Sequence, residues 1–273
     1  MDILDAQVHL NKFGIDAGIE AMNALGIAAV LIDEFHGLDS ESTPQPNLPL
    51  PGGGYRPLTP IAEAASLRYP DRLAYLRRVD YRDPDADAIV RLLRADPGAR
   101  AMRISVRGQG EIDAFVDGQY GRVFEAARTY GFPMFVLLRD HAPLLRPYLE
   151  RFADVQFILC HCGLPPTPAE YDDVLALARY ENLALKWAHA ARIFPNNGWP
   201  FRELDQYLER ALERFGPQRL LWASDTTESH GSWTWAEALF YVRDTPVLSA
   251  GDREWVLART ARTILRWPAA TAG

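Results

Sequence analysis

Short apolar runs alternate with longer segments of helical periodicity along the whole chain. The strand-sized runs are rich in Val, Ile and Leu, and between them apolar residues recur at helical spacing. The runs cover residues 2–9, 27–33, 72–79, 99–106, 133–138, 155–161, 182–188 and 219–225. The helical stretches cover residues 14–25, 59–69, 84–95, 117–130, 142–152, 168–180, 200–215, 233–243 and 249–266. This alternation predicts eight strand–helix units.

The spacing of these units favours a closed barrel. The first and eighth runs begin about 217 residues apart, so the mean repeat of about 31 residues matches one strand–helix crossover unit. A doubly wound sheet is the competing architecture, but it needs fewer strands, and no Gly-x-Gly-x-x-Gly follows the first run. We therefore predict an α/β fold, a (β/α)8 TIM barrel in which residues 1–273 form a single domain.

One segment interrupts the alternation. Residues 34–58 are rich in proline, contain the run Gly52-Gly53-Gly54, and have neither helical nor strand period. A loop of this length in a compact domain usually has a binding or covering role. Because it follows the second strand, we predict that it lies over the C-terminal face of the barrel; a surface excursion without a role is the alternative.

Composition and charge exclude several classes of function. The chain is 48% hydrophobic, and its apolar runs are too short to span a membrane. Its 29 basic and 36 acidic residues are interspersed, so no basic stripe for nucleic acid exists. Cys160 and Cys162 are too close to form a sensible disulfide, which is typical of the cytoplasm. We expect a cytoplasmic protein that acts on a small molecule, and a homo-oligomer stays open.

Ionisable residues stand at the ends of three predicted strands. The first strand ends with Asp5, Gln7 and His9, which strand alternation places on one face. The sixth ends at His161, with both neighbouring cysteines turned to the other face, and the eighth ends at Asp225. Since the carboxyl ends of barrel strands meet at one mouth, His9, His161 and Asp225 are predicted to converge. They could bind a divalent ion, or hold and deprotonate a water; structural histidines and a helix-capping Asp225 are the alternatives.

Four stretches resemble motifs of the amidohydrolase superfamily, in its amidohydrolase-2 branch of dicarboxylate lactonases, sugar-acid lactonases and aromatic-acid decarboxylases. Residues 5–10 are similar to the opening Asp-x-His-x-His, and residues 157–163 to the sixth-strand hydrophobic-Asp-His-x-Gly. Residues 186–193 are similar to Lys-x-Ser-Gly-x-x-Arg-Ile, and residues 219–225 to Arg-hydrophobic-hydrophobic-Trp-Gly-Ser-Asp. The resemblance spans nearly the whole chain in order, and it implies a (β/α)8 enzyme.

The chain departs from this pattern at positions that matter for metal binding. Gln7 stands where the family has its first histidine, Cys160 stands for an aspartate, and Arg139 ends the strand on which metal-rich members carry another histidine. A neutral amide is a poorer zinc ligand than imidazole. We expect one divalent ion, zinc, on His9, His161 and Asp225, weakly held or absent. Some lactonases of the branch work without metal, using the eighth-strand aspartate as base.

Cationic side chains are the candidates for substrate binding. Arg103 and Arg107 lie on the fourth strand, and Arg192 aligns with a family arginine; guanidinium groups bind carboxylates through two parallel hydrogen bonds. Salt bridges at the rim are the alternative. Lys186 is interpreted as an interior hydrogen-bond donor and is grouped with Gln7 among the substrate-binding candidates. Other residues are candidates to which the sequence assigns no definite role. Glu34, His36 and His189 could lie at the mouth, and a pocket wall could be formed by Trp187, Trp199, Trp233 and Trp235.

The resemblance, taken together with these residues, implies a hydrolase that opens a small cyclic ester, a lactone bearing a carboxylate. Asp225 takes a proton from water, while His161 and His9 position or polarise the carbonyl group. A metal-dependent decarboxylase or lyase on the same scaffold is the first alternative. A barrel that has lost its chemistry and only binds a ligand is the second, and Gln7 is the feature in its favour.

Overall fold

Parallel strands form a nearly closed barrel in the computed structural model, which describes residues 1–10, 14–33, 47–58, 60–226 and 233–268. The strands are β1 (Leu4–Val8), β2 (Ala29–Ile32), β3 (Asn47–Pro49), β4 (Tyr55–Pro57), β5 (Leu73–Arg78), β6 (Ala99–Val106), β7 (Met134–Leu138), β8 (Phe157–Leu159), β9 (Leu183–Trp187) and β10 (Leu220–Trp222). The barrel order is β1-β2-β5-β6-β7-β8-β9-β10, and each of the eight predicted runs contributes one strand. The single-domain (β/α)8 barrel is confirmed.

Helices connect the strands and cover the barrel. They are α1 (Ile15–Leu25), α2 (Pro60–Arg68), α3 (Ala86–Ala95), α4 (Gln109–Val116), α5 (Gly121–Tyr130), α6 (Arg146–Arg151), α7 (Tyr171–Leu175), α8 (Ala190–Ile193), α9 (Asp205–Phe215), α10 (Trp235–Arg243), α11 (Ala250–Glu254) and α12 (Thr260–Ile264). Helices α4 and α8 were not predicted. No helix in the described part of the chain has the length and apolar character to cross a membrane.

Successive side chains along the barrel strands point alternately into the barrel and toward the helices, and they form two apolar layers. In β2, Ala29 and Leu31 belong to the cluster that fills the barrel, while Val30 and Ile32 belong to the cluster between barrel and helices. Both faces of β2 are therefore buried, as expected of a parallel sheet covered by helices. Just beyond its last strand, the barrel is joined where the Asp225 N–H donates to the Gln7 carbonyl of the first strand at 3.0 Å.

At two places a local irregularity turns strand residues to a different face of the sheet from the one predicted. In β1 the register shifts by one residue between Asp5 and Val8, which both pair with helix-facing residues of β2. This bulge puts Asp5 on the helix side, where it accepts a hydrogen bond from Trp235 Nε1 at 2.8 Å, whereas Gln7 and His9 reach the barrel mouth. The prediction of one shared face for these three residues was wrong.

The sixth strand ends earlier than predicted. Strand β8 stops at Leu159, and Cys160 packs in the cluster that fills the barrel, so it does not turn outward as expected. His161 and Cys162 have left-handed φ angles of 52° and 51°, which turn the chain and send His161 into the mouth. Cys162 packs in the outer layer, and its Sγ lies 3.4 Å from the Ala188 carbonyl oxygen.

The long loop after β2 contains structure that the sequence pattern did not predict. Its second part is an antiparallel hairpin of β3 and β4, anchored by the Tyr55 N–H donating to Asp80 Oδ2 at 3.0 Å beyond β5. The hairpin thus lies beside a loop at the carboxyl ends of the barrel strands. Residues 34–46, the first part of the loop, lie outside the described residues.

Candidate active site

A cavity of about 410 Å³ opens at the carboxyl ends of the strands. Its lining includes a residue at or just beyond the end of seven barrel strands, namely His9, Arg78, Arg107, Arg139, His161, His189 and Asp225. This is the position at which TIM barrels assemble their active sites. The predicted convergence of His9, His161 and Asp225 is what the structure shows.

Asp225 lies among three imidazole rings. Its Oδ1 is 2.9 Å from His9 Nε2, and its Oδ2 is 2.9 Å from His189 Nε2 and 3.7 Å from His161 Nε2. The rings of His161 and His189 lie 4.5 Å apart at their centroids. His189, which the sequence offered only as an open candidate, is thus as close to the carboxylate as His9.

The backbone bends sharply at these residues. His161, His189 and Asp225 have φ angles of 52°, 60° and 47°, in the left-handed region that side chains other than glycine seldom adopt. Such a conformation costs roughly 1 to 3 kcal/mol per residue and persists only where the surrounding structure enforces it. Since all three occur just after barrel strands, the strain is concentrated where their side chains meet.

The charges in this cluster are set by burial and by each other. Burial opposes ionisation of Asp225, but His189 and His9 outweigh it and hold the pKa of the carboxyl well below its ordinary value. Burial, together with the nearby Lys186 and His189, lowers the pKa of His161 well below that of a free imidazole. Around neutral pH, Asp225 is therefore a carboxylate and His161 a neutral ring.

Two more side chains extend the cluster into the barrel. Gln7 Nε2 lies 3.2 Å from His9 Nε2, and Lys186 Nζ donates to Gln7 Oε1. Lys186 is fully buried, and that burial lowers the pKa of its ammonium group to about 8. Gln7 lines the cavity as predicted, whereas Lys186 lies behind it as an interior donor and is not among the lining side chains of the described residues.

A buried aspartate holds two arginines beside the cavity. Asp33, just beyond β2, accepts from Arg78 Nε and Nη2 at 2.9 Å each, and also from Arg103 Nη1. All three residues are buried, and the two guanidinium groups exceed the single carboxylate by one positive charge. Arg103 was predicted as a substrate-binding residue. Arg78 and Asp33 were missed, although both are charged residues at strand ends.

Further arginines surround the opening. Arg107, Arg139 and Arg192 line the same cavity, so that it has five arginines against the acidic Asp140 and Asp225. Arg139 and Arg192 are exposed and Arg107 is half-buried. In a protein with a net charge of -7, this cluster is a local field that attracts anions.

The tryptophans that the sequence offered as a pocket wall are not among the residues that line this cavity. Trp187 and Trp235 donate their indole N–H groups to Tyr241 and Asp5 in the layer outside the barrel, and Trp199 is exposed. Trp233 packs edge-on against His189, with ring centroids 5.8 Å apart. Glu34 and His36 lie outside the described residues.

The donor set around Asp225 fits a divalent metal ion. One ligand atom from each of His161, His189 and Asp225 lies within 4.8 Å of the others. His189 Nε2 is buried and makes no well-directed hydrogen bond within the described part of the chain, despite its 2.9 Å approach to Asp225. Two imidazoles and a carboxylate are a common zinc ligand set. The set differs from the predicted one in that His189 takes the place of His9, whose Nε2 faces the other carboxylate oxygen.

Comparison with protein families decides the class of this chain. A family model described as amidohydrolase, of the amidohydrolase-2 type, matches residues 59–267. The chain belongs to the amidohydrolase-2 family. It is accordingly an amidohydrolase-type enzyme, and the family that the sequence motifs indicated is confirmed. A search of curated proteins found no match.

Several solved structures share the fold at low sequence identity. A zinc-bound amidohydrolase from Burkholderia multivorans is 19% identical, with a TM-score of 0.75 and coverage of 98% of this chain and 100% of that one. A protein from Pseudomonas putida described as a 2-pyrone-4,6-dicarboxylic acid hydrolase is 17% identical, with a TM-score of 0.73 and coverage of 97% and 98%. A 5-carboxyvanillate decarboxylase from Sphingomonas paucimobilis is 14% identical, with a TM-score of 0.65 and coverage of 97% and 99%.

Proposed function

We propose that this amidohydrolase opens a small lactone that carries a carboxylate. The observation that carries the proposal is the Asp225 carboxylate, lying between imidazoles under a cavity lined by five arginines. A base beside polarising groups suits attack of water on an ester carbonyl, and the arginines suit an acidic substrate. The likeness to a dicarboxylic acid hydrolase is consistent with both features.

The substrate's carboxylate would bind the arginines. Asp33 already fixes the planes of Arg78 and Arg103, so little side-chain entropy remains to be lost when an anion binds. Nε of Arg103 is buried without a hydrogen-bond partner among the described residues. The bound carboxylate would pair with these two guanidinium groups beside the cavity.

In the hydrolytic step, Asp225 accepts a proton from a water molecule as the water oxygen bonds to the lactone carbonyl carbon. The resulting tetrahedral intermediate collapses, the ring C–O bond breaks, and the leaving oxygen takes the proton back from Asp225. His9 and His161 keep the Asp225 carboxylate and the substrate carbonyl group in position for this attack. The product is an open-chain hydroxy acid, and no other reactant is consumed.

His161, His189 and Asp225 would hold a divalent ion, with zinc the best match to this donor set. A zinc ion bound there would polarise the carbonyl and make water more acidic. The neutral state of His161 suits this role, because a protonated imidazole has no lone pair to offer.

The deciding experiment offers the purified enzyme two matched sets of acids, with and without added Zn²⁺. One set contains carboxylated lactones, whose opening releases a proton that a pH indicator detects, and the other contains aromatic acids, whose decarboxylation releases CO₂. We expect lactone opening that disappears in Asp225→Asn. CO₂ release without lactone opening would assign the enzyme to the decarboxylases, and turnover of neither set would refute both reactions.

A further inference from the structure

We propose that Asp5 is a positioning residue that stabilises the strained turn at Asp225 and so orients the catalytic carboxylate. Asp5 is fully buried on the helix side of β1, and it is not among the described residues that line the cavity. The inference rests on the proposed function only in placing Asp225 in the catalytic centre. It gives a role to a buried acid that the proposed reaction does not use.

One oxygen of Asp5 joins the first and last strands of the barrel. Neighbouring strands elsewhere in the barrel are paired by backbone hydrogen bonds, but within the described part of the chain β1 and β10 form no such ladder. At this seam Asp5 Oδ1 accepts from the Gln7 N–H at 3.1 Å and from the Ser224 N–H at 3.0 Å. A carboxylate oxygen has two lone pairs, so a single side chain bridges the two strands.

The same oxygen supports the backbone on both sides of Asp225. The residue before it, Ser224, donates its own N–H to Asp5. The Asp225 N–H donates at 3.0 Å to the carbonyl of Gln7, which is the other donor to Asp5. The N–H of Thr226 donates to Ser224 Oγ at 3.2 Å. Three successive N–H groups are thus held either by Asp5 or by a residue that Asp5 holds.

The turn needs this support because its backbone is strained. Asp225 has a φ of 47°, which residues other than glycine keep only where the surroundings enforce it. Its two carboxylate oxygens each lie 2.9 Å from an imidazole nitrogen, one of His9 and one of His189. Relaxation of φ would rotate the side chain away from both rings. Since a misplacement of about 1 Å can cost on the order of 10² in rate, the hydrogen bonds of Asp5 bear directly on catalysis.

The two oxygens of Asp5 have different partners, which provides matched variants. Oδ2 accepts from Nε1 of Trp235, the first residue of helix α10, at 2.8 Å. Trp235→Phe removes this donor and keeps the bridge at Oδ1. Asp5→Leu keeps a branched side chain but removes both acceptors. Asp5→Asn retains one oxygen, which should face the two backbone N–H groups, because the reverse orientation would oppose two donors instead of one.

Hydrogen–deuterium exchange measured by mass spectrometry reports on the turn directly. At pH 8 Asp5 is ionised, since its pKa is about 6. Peptides covering residues 220–226 should lose their protection in Asp5→Leu and keep it in Trp235→Phe and Asp5→Asn. A general loss of stability would appear equally in β7 (Met134–Leu138), on the far side of the barrel, so that strand is the internal reference.

Kinetics and zinc binding separate positioning from support of the fold. Loss of an outer-shell partner typically costs a factor of 10 to 100, so Asp5→Leu should lower kcat and Zn²⁺ affinity by about 10-fold to 100-fold. Its KM for a carboxylated lactone should change little, because the arginines are untouched. Trp235→Phe loses a buried hydrogen bond and should melt at a lower temperature, with kcat and Zn²⁺ affinity near native. Asp5→Asn should keep both values near native as well.

Native protection and kcat in Asp5→Leu would overturn the proposal, and so would an equal loss of kcat in Trp235→Phe. Should Asp5→Leu not fold, Asp5→Asn decides, because its one oxygen must preserve the protection of residues 220–226, and a loss there would overturn the proposal. Exchange does not depend on turnover. If the turn opens only in Asp5→Leu but the native enzyme opens no lactone, the role of Asp5 at the turn stands and the proposed reaction fails. If lactones are opened equally well by Asp5→Leu, the reaction stands and the inference fails.

Discussion

His189 Nε2 lies 2.9 Å from Asp225 Oδ2, and both residues follow the last two barrel strands in left-handed backbone conformations. The two strands are adjacent in the barrel and run in register, with Trp222 paired to Trp187. The turns after them therefore bring an imidazole and a carboxylate together at one edge. This pair adds a third ring to the two histidines that the sequence motifs indicated, and it changes what can be expected of metal binding.

Zinc binding should depend on His189. We expect chelator-treated protein to bind one Zn²⁺ per chain, and His189→Asn to lower the affinity by at least the roughly 10-fold that loss of an outer-shell partner costs. Calorimetric titration measures both. His141→Asn is the matched control, because His141 is outside the cavity lining. A native protein that binds no zinc would instead support the weak or absent metal expected from Gln7.

Asp225 should be required for turnover far more than for substrate binding. Loss of a general base typically lowers kcat by a factor on the order of 10² to 10⁴, so we expect this effect for Asp225→Asn, with KM changed little. Steady-state kinetics on the best lactone and a thermal melt measure catalysis and stability together. Asp140→Asn removes another carboxylate from the cavity lining and should keep near-native kcat. Normal turnover in Asp225→Asn would show that the residue only caps the chain after β10.

The arginines should select for acidic substrates. A charge-assisted hydrogen-bonded pair is worth roughly 1.5 to 3 kcal/mol, so Arg103→Met or Arg192→Met should raise KM about 10-fold to 150-fold for a carboxylated lactone. Lysine at either position should rescue only in part, because an ammonium group lacks the planar fork.

Two comparisons make this result specific. A neutral lactone of the same ring size should show little change in KM with either methionine variant. Arg210→Met, which breaks an exposed ion pair with Asp172, should behave like the parent. Equal KM values for acidic and neutral lactones in the native enzyme would refute the carboxylate-bearing substrate.

The buried Asp5 should make stability depend on pH in an unusual direction. Burial raises the pKa of its carboxyl to about 6, although hydrogen bonds from Ser224, Gln7 and Trp235 act to lower it. The folded protein thus binds this proton more tightly than the unfolded chain. The stability that protonation contributes is complete below the ordinary value of 3.8 and is lost as the pH rises through about 6.

Urea unfolding of the native protein and Asp5→Asn at several pH values tests this. The difference in free energy of unfolding, native protein minus Asp5→Asn, should fall by roughly 1.4 kcal/mol per pH unit between about pH 4 and 6 and then level off. The comparison cancels the other carboxylates, including Asp225, whose lowered pKa acts in the opposite direction. A difference that does not vary with pH would show that burial leaves the pKa of Asp5 at its unfolded value.

The sequence by itself determined the barrel and the strand ends on which the chemistry lies. Eight apolar runs at a repeat of about 31 residues admit few other folds, and parallel strands in a barrel must bring their carboxyl ends to one mouth. His9, His161 and Asp225 could therefore be predicted to lie together from their positions at strand ends alone, and Arg103 could be placed near them only as a residue on the fourth predicted strand.

Only the tertiary structure decided which neighbours these residues have. Period-two alternation holds only while a strand is regular, and here a bulge in β1 separates Asp5 from Gln7, while left-handed turns redirect His161 and His189. Contacts between strands distant in sequence, such as Lys186 with Gln7 or Asp33 with Arg103, depend on side-chain direction and burial. Local sequence encodes neither, because both arise from the packing of the closed barrel.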